Sequence, residues 1–161
     1  MIQADELEAW CDAELDPGHF SDYCPNGLQV EGTRPVRRLA TGVTACQALL
    51  DAALAWDADA ILVHHGYFWR GEPEPLTGMK GRRVRTLMQN GVSLLAYHLP
   101  LDRHMELGNA AQLARRLGSP LERRRGRQLA PLRHHGRAQV RERPDGPPLH
   151  PRDRRLPGSS L

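Results

Sequence analysis

The chain has 161 residues, enough for one ordinary domain, and 40% of them are apolar. Its three cysteines, Cys11, Cys24 and Cys46, are odd in number and show no paired spacing, which excludes a disulfide framework. The net charge of +3 is unevenly placed: residues 1–118 hold 11 Lys and Arg against 15 Asp and Glu, whereas residues 119–161 hold 11 Arg against 4 acids. The basic character therefore belongs to the tail, and it gives no reason to read the rest of the chain as a nucleic-acid binder.

Met1 to Glu6 contain no basic segment followed by an apolar one, and no apolar run approaches the ~20 residues of a membrane-spanning helix. The expectation is a soluble, reducing, cytoplasmic setting with no membrane partner. Asp5 can cap a first helix whose apolar face is Leu7, Trp10, Cys11 and Leu15. Asp16-Pro17-Gly18 stops it, and the Pro and Gly residues between Asp22 and Gly32 argue for turns rather than a continuous element. Arg38 to Val43 reads as a strand. Thr44 can cap a helix that turns Leu49, Leu50 and Ala53 inward and ends near Trp56-Asp57.

Ala60 to Val63 is a short, continuously apolar run, as expected of a strand covered on both faces. A helix from Arg82 to Gln89 follows, with Val84, Leu87 and Met88 on one side, and Asn90-Gly91 closes it. Val92 to Tyr97 is the next buried strand. A last helix over Glu106–Leu117 buries Ala110, Leu113, Ala114 and Leu117, and Gly118 ends it. Alternating strands and helices predict a layered α/β domain over 1–118, with a largely parallel or mixed sheet flanked by helices. Residues 119–161 carry 7 Pro and no aromatic residue, with no sustained period, and are expected to be a disordered tail. No internal repeat is evident, although His-His-Gly occurs twice.

Ligands in an open α/β sheet gather beyond the carboxyl ends of the strands. One strand runs into His64-His65-Gly66 and another into His98-Leu99-Pro100-Leu101-Asp102. If the two strands are parallel neighbours, imidazoles and a carboxylate collect at one edge, a donor set suited to Zn, Mn or Fe. Adjacent residues of a strand point to opposite faces. His64 and His65 share one site only if the strand stops and bends at Gly66; otherwise each serves a different ion, or the pair is merely hydrogen-bonded at a strand end. His98 could be a ligand, a packed histidine, or an outer partner that orients Asp102; the last is the favoured reading. His104 and Glu106 extend an Asp-x-His-x-Glu spacing from Asp102, for which a polar helix start is the plainer explanation. The cysteines read as buried thiols rather than nucleophiles. Tyr67, Phe68 and Trp69 could line a pocket or cover a core. No phosphate-binding Gly-Lys-Ser/Thr loop occurs.

Several of these motifs, taken together, are specific. Asp22-Tyr23, Asn26-Gly27-Leu28-Gln29-Val30-Glu31-Gly32, His64-His65-Gly66-Tyr67-Phe68-Trp69, Gly78-Met79-Lys80 and Tyr97-His98-Leu99-Pro100-Leu101-Asp102 stand in an order that resembles the YbgI, or Nif-three-like, family of dinuclear-metal proteins, also called GTP cyclohydrolase I type two homologues. Gly108 to Ala114 extends the likeness, which covers about residues 1–118. The resemblance implies that His64, His65 and Asp102 are metal ligands and that subunits form a homohexameric ring. It also implies a His and a Glu near the C-terminus that complete the site. Neither can be matched here, so the expectation is a truncated or frameshifted chain with an incomplete centre.

Three functions follow as expectations. The first is a metal-dependent hydrolase-like protein acting on an unknown small molecule, with no catalytic residue assigned; a bound metal would lower the pKa of water. The second is a non-enzymatic metal-binding or assembly protein. The third, an Arg-rich nucleic-acid-binding module, ranks last because the tail has no aromatic platform. His134-His135-Gly136 lacks a preceding apolar strand and is flanked by Arg133 and Arg137, so it is not expected to supply ligands.

Overall fold

Side chains alternate across a strand, and this alternation divides the apolar residues into two cores. Ile61 and Val63 join Leu50, Val84, Leu87 and Leu94 in one cluster, whereas Ala60 joins Leu7, Cys11, Leu95 and Tyr97 in the other. A sheet with apolar residues on both faces must be covered on both, and helices supply that cover. The computed structural model describes residues 1–118. The expected tail, 119–161, lies outside the described residues.

Four strands form one sheet: β1 (Gly27–Val30), β2 (Leu39–Thr44), β3 (Ala60–His65) and β4 (Ser93–Ala96). Their spatial order is β1-β4-β3-β2. β2, β3 and β4 run parallel, with Leu39 opposite Ala60 and Ala60 opposite Ser93, while β1 pairs antiparallel with β4. The sheet is therefore mixed. Helices α1 (Ala4–Leu15), α2 (Gln47–Ala55), α3 (Gly78–Gln89), α4 (Leu99–Arg103) and α5 (Asn109–Leu117) complete the described chain. No helix among the described residues is long and apolar enough to cross a membrane.

Several local expectations are corrected. β1 lies inside the segment read as turns: its Pro and Gly neighbours mask a four-residue strand that pairs with β4 through a register shift between Leu28 and Val30. α1 is capped at Gln3, whose N–H donates to the Glu6 carboxylate at 2.7 Å, so Asp5 sits in the first turn instead. Trp10 is 65% exposed and belongs to no core face. Thr44 stays in β2, and Cys46 occupies the cap position of α2. α3 begins four residues earlier than expected, and Met88 faces solvent. α4 has no counterpart among the expected elements. α5 buries Ala111, while Ala110, Leu113 and Leu117 are exposed.

Asp59 ties β2 to the start of β3. Its carboxylate accepts the Arg37 and Arg38 N–H groups, both at 2.9 Å, and pairs with Arg34 at 2.7 Å. Burial would push this carboxyl up, but the two backbone N–H groups and the neighbouring guanidinium groups hold it below the usual carboxylate range. The register so fixed sends the carboxyl ends of β3 and β4 to the same edge, which is where the histidines lie.

Candidate metal centre

β3 does not stop before the histidine pair. On its β2 side it continues to His65, opposite Thr44; on its β4 side the ladder ends at Val63 opposite Ala96. Released on that side, His64 turns toward β4, where its Nδ1 lies 3.0 Å from the Tyr97 carbonyl oxygen. The two imidazoles meet with ring centroids 4.4 Å apart. Gly66 contributes by close packing rather than by an unusual backbone angle: a Cβ there would strike the Gln29 side chain and approach Ala96 Cβ at 2.7 Å. Gln29 also accepts the Tyr67 N–H at 2.6 Å, so β1 holds the chain just after the histidines.

A carbonyl oxygen only accepts, so His64 must donate from Nδ1, which leaves the lone pair on Nε2. His98 is fixed in the same way: its Nδ1 faces Asp22 Oδ1 at 2.8 Å, and its backbone N–H donates to Asn26 Oδ1 at 2.8 Å. His65 places Nδ1 3.2 Å from Thr44 Oγ1. Each of the three imidazoles offers a ligand atom, and these three atoms lie within 4.8 Å of one another. Asp102, on α4, stands beside this trio, with Oδ1 3.5 Å from His64 Nε2 and 2.8 Å from the Asn109 amide that donates to it.

His98 thus meets Asp22 as its hydrogen-bonding partner, and Asp102 is instead held by Asn109. Asp22 and Asn26 are the site residues that sequence reasoning missed. Both stand in the quoted motif, but their 76- and 72-residue separation from His98 hides the contact. Asp22 also accepts the N–H groups of Tyr23 at 2.6 Å and Leu99 at 2.9 Å, and the Asn26 amide at 3.1 Å. Burial alone would raise its carboxyl; the hydrogen bonds from His98, Leu99, Asn26 and Tyr23 outweigh that and lower it. His65 is also shifted down, first by burial and then by the neighbouring His64 and His98, with Asp102 opposing. The downward shift favours the neutral imidazole, the form that ligates metals.

Trp69 closes one side, its ring centroid 5.0 Å from that of His98 and 5.9 Å from that of His65. It is aimed by a turn in which Phe68 adopts a left-handed φ of 64°, an uncommon conformation for an aromatic residue. His104 does not join the trio. Its Nδ1 accepts the N–H groups of Glu106 and Leu107, at 3.2 and 3.0 Å, and its Nε2 lies 3.3 Å from Glu14. Cys11 and Cys24 are buried free thiols, and burial with the nearby Asp22 charge pushes Cys24 up to about 11.

The donor set passes a chemical test for a divalent ion. Imidazole nitrogens converge with a carboxylate at their rim, and two of the imidazoles have one ring nitrogen tied to the protein, which leaves the other to face a ligand.

Residues 1–118 have relatives among known proteins. The chain is 63% identical over 113 residues to the Vibrio cholerae protein named GTP cyclohydrolase 1 type 2 homolog, covering 70% of this chain and 45% of that protein. A solved structure of the protein ybgI, described as of unknown function, superimposes with a TM-score of 0.71 at 54% identity, covering 73% of this chain and 47% of that one. A Thermus thermophilus protein, TTHA1606, gives 0.68 at 47% identity, with 73% and 48% covered. The chain thus spans slightly less than half the length of the curated relatives it matches. The family described as Duf34/NIF3 (NGG1p interacting factor 3) matches residues 2–132, most of the chain, and this chain belongs to that family.

Proposed function

We propose that residues 1–118 carry a divalent-metal centre held by His64, His65 and Asp102, and that the centre serves a metal-dependent hydrolase. The observation that carries this reading is the convergence of ligand atoms at the carboxyl ends of two parallel strands, with His64 Nε2 left free by the Tyr97 carbonyl. Zn, Mn and Fe all accept such a mixture of imidazole and carboxylate. A bound ion of this kind supplies Lewis acidity for hydrolysis.

The protein's own groups would do the rest. The Asn109 amide holds Asp102 Oδ1 toward His64. Trp69 packs against His98, with ring centroids 5.0 Å apart. The name GTP cyclohydrolase 1 type 2 homolog, carried by the relatives, points to a nucleotide as substrate class, and a small phosphorylated molecule is the wider form of that proposal. A cytoplasmic setting and a homohexamer belong to the same reading.

The same convergent donors also support a second reading, a metal-binding or assembly protein without turnover. One experiment separates them. Metal-loaded protein is incubated with a panel of nucleoside triphosphates and phosphomonoesters, beside chelated protein and His64→Ala. Metal-dependent turnover lost in His64→Ala is the expected result. Retained metal with no turnover across the panel would favour the second reading.

A further inference from the structure

β2 is an edge of the sheet: it pairs with β3 on one side and, among the described residues, with no strand on the other. The Arg38 carbonyl accepts the Ala60 N–H at 3.3 Å and so faces β3. Successive residues of a strand turn their N–H and C=O groups to opposite edges. Ala40 and Gly42 therefore face β3, and Leu39, Thr41 and Val43 present theirs outward. Proteins shield such an edge with charged side chains, Pro or a very short strand. β2 runs for six residues, Leu39–Thr44, without a charge or a proline.

This edge is complementary to itself. Setting Thr41 of one copy antiparallel to Thr41 of another places each Leu39 opposite a Val43. All of these pairs join residues whose backbone groups face outward, so each exchanges both of its hydrogen bonds. A shift by one residue would oppose outward to inward groups, and a shift by two would lose a pair. The Leu39–Val43 contacts are apolar cross-strand pairs, and the central pair is Thr with Thr. The same register sets Arg38 opposite Thr44 and Arg37 opposite Ala45, so no like charges meet. Apolar cover is also wanting beside the edge: Val43 is 69% exposed, and it lines the same groove as Trp10 and Leu107. A fully covered tryptophan buries about 150–250 Å², so Trp10, 65% exposed, still holds roughly 100–160 Å². With Val43, Leu107 and a strand edge about 20 Å long, this makes a large share of the ~800 Å² per partner of a standard interface.

We propose that the outer edge of β2 is an interface to a second copy of this chain, which joins the two sheets into one across a two-fold axis at Thr41. Both copies use the same surface, as a two-fold contact requires. The pairing needs no metal, so it stands or falls apart from the centre described above.

The test uses the whole chain in the presence of chelator, followed by sedimentation equilibrium. The wild type is expected to show a monomer–dimer equilibrium. Val43→Lys puts a charge on the exposed edge and should raise the dissociation constant about tenfold or more, with an unchanged circular dichroism spectrum. Met88→Lys, at a position 62% exposed on α3, should leave the constant as it is. Crosslinking reads the register. Opposed Cα atoms of a hydrogen-bonded antiparallel pair lie about 5.5 Å apart, within reach of a disulfide. In a Cys46→Ser background, oxidation of Thr41→Cys should give a covalent dimer and oxidation of Gln89→Cys should not. A wild type that stays monomeric at every concentration would overturn the inference and leave the edge to residues 119–161 or to a strand of another protein. A dimer that Val43→Lys leaves intact, or one that Thr41→Cys does not link, would overturn it as well.

Discussion

His64 and His98 each commit one ring nitrogen to the protein, whereas Asp59 commits its whole carboxylate to the fold. The consequences of mutation should differ accordingly. Asp59→Ala leaves the Arg37 and Arg38 N–H groups without their acceptor, at a cost of about 1–3 kcal/mol, measurable by urea unfolding at neutral pH. The pH dependence has a definite sign. The folded carboxyl is held below its unfolded value, near 3.9, so its contribution is fully present above that pH and is lost as pH falls through the folded value. Unfolding of the wild type should therefore ease below about pH 4, and Asp59→Asn should show a shallower dependence there. Equal slopes for the two proteins would show that Asp59 is not the group responsible. At this scale the sequence is informative where chemistry is contiguous: His64 and His65 end an apolar run, and Asp102 follows another. It is silent about Asp22, because an aspartate among Pro and Gly residues looks like a turn former until the fold brings His98 to it.

Elements that bury both faces are the legible ones. Ala60–Val63 and the run through Leu94 and Leu95 announce themselves by unbroken apolarity, and both are strands of the sheet. β1 is hidden because four residues with a register shift carry too little pattern. The face of α5 misleads because its apolar residues suggest a buried stripe that no described element covers. Leu94 and Leu113 make the contrast testable. Leu94 is 0% exposed and Leu113 59% exposed, so Leu94→Ala should cost about 2–5 kcal/mol and Leu113→Ala less than about 0.5 kcal/mol. Similar costs for the two would mean that α5 is covered in solution. Gly66→Ala tests the junction between β3 and the site. The added methyl must displace Gln29 or Ala96, at about 1–3 kcal/mol, and the movement should also weaken metal binding through His65.

On the scale of the whole molecule, the described residues leave apolar side chains in the open. Trp10, Val43 and Leu107, all more than half exposed, line a groove of about 290 Å³ that reaches His64. Exposed apolar area of this kind promotes association. Sedimentation of the chain is expected to show concentration-dependent self-association, and a monomer at every concentration would contradict it. The groove's position beside His64 also links assembly to the site, since a surface that covers Trp10 and Val43 would change the surroundings of a candidate ligand.

Metal binding is the property on which the proposed function rests, and one measurement addresses it without reference to any substrate. The purified chain is stripped with chelator, dialysed to equilibrium against Zn²⁺, Mn²⁺ or Fe²⁺ under anaerobic conditions, and analysed for bound metal beside a variant carrying His64→Ala, His65→Ala and Asp102→Ala together. Circular dichroism checks that both proteins are folded. Saturable binding by the wild type, lost in the folded triple variant, is the expected result. Equal metal content in the two folded proteins would contradict it.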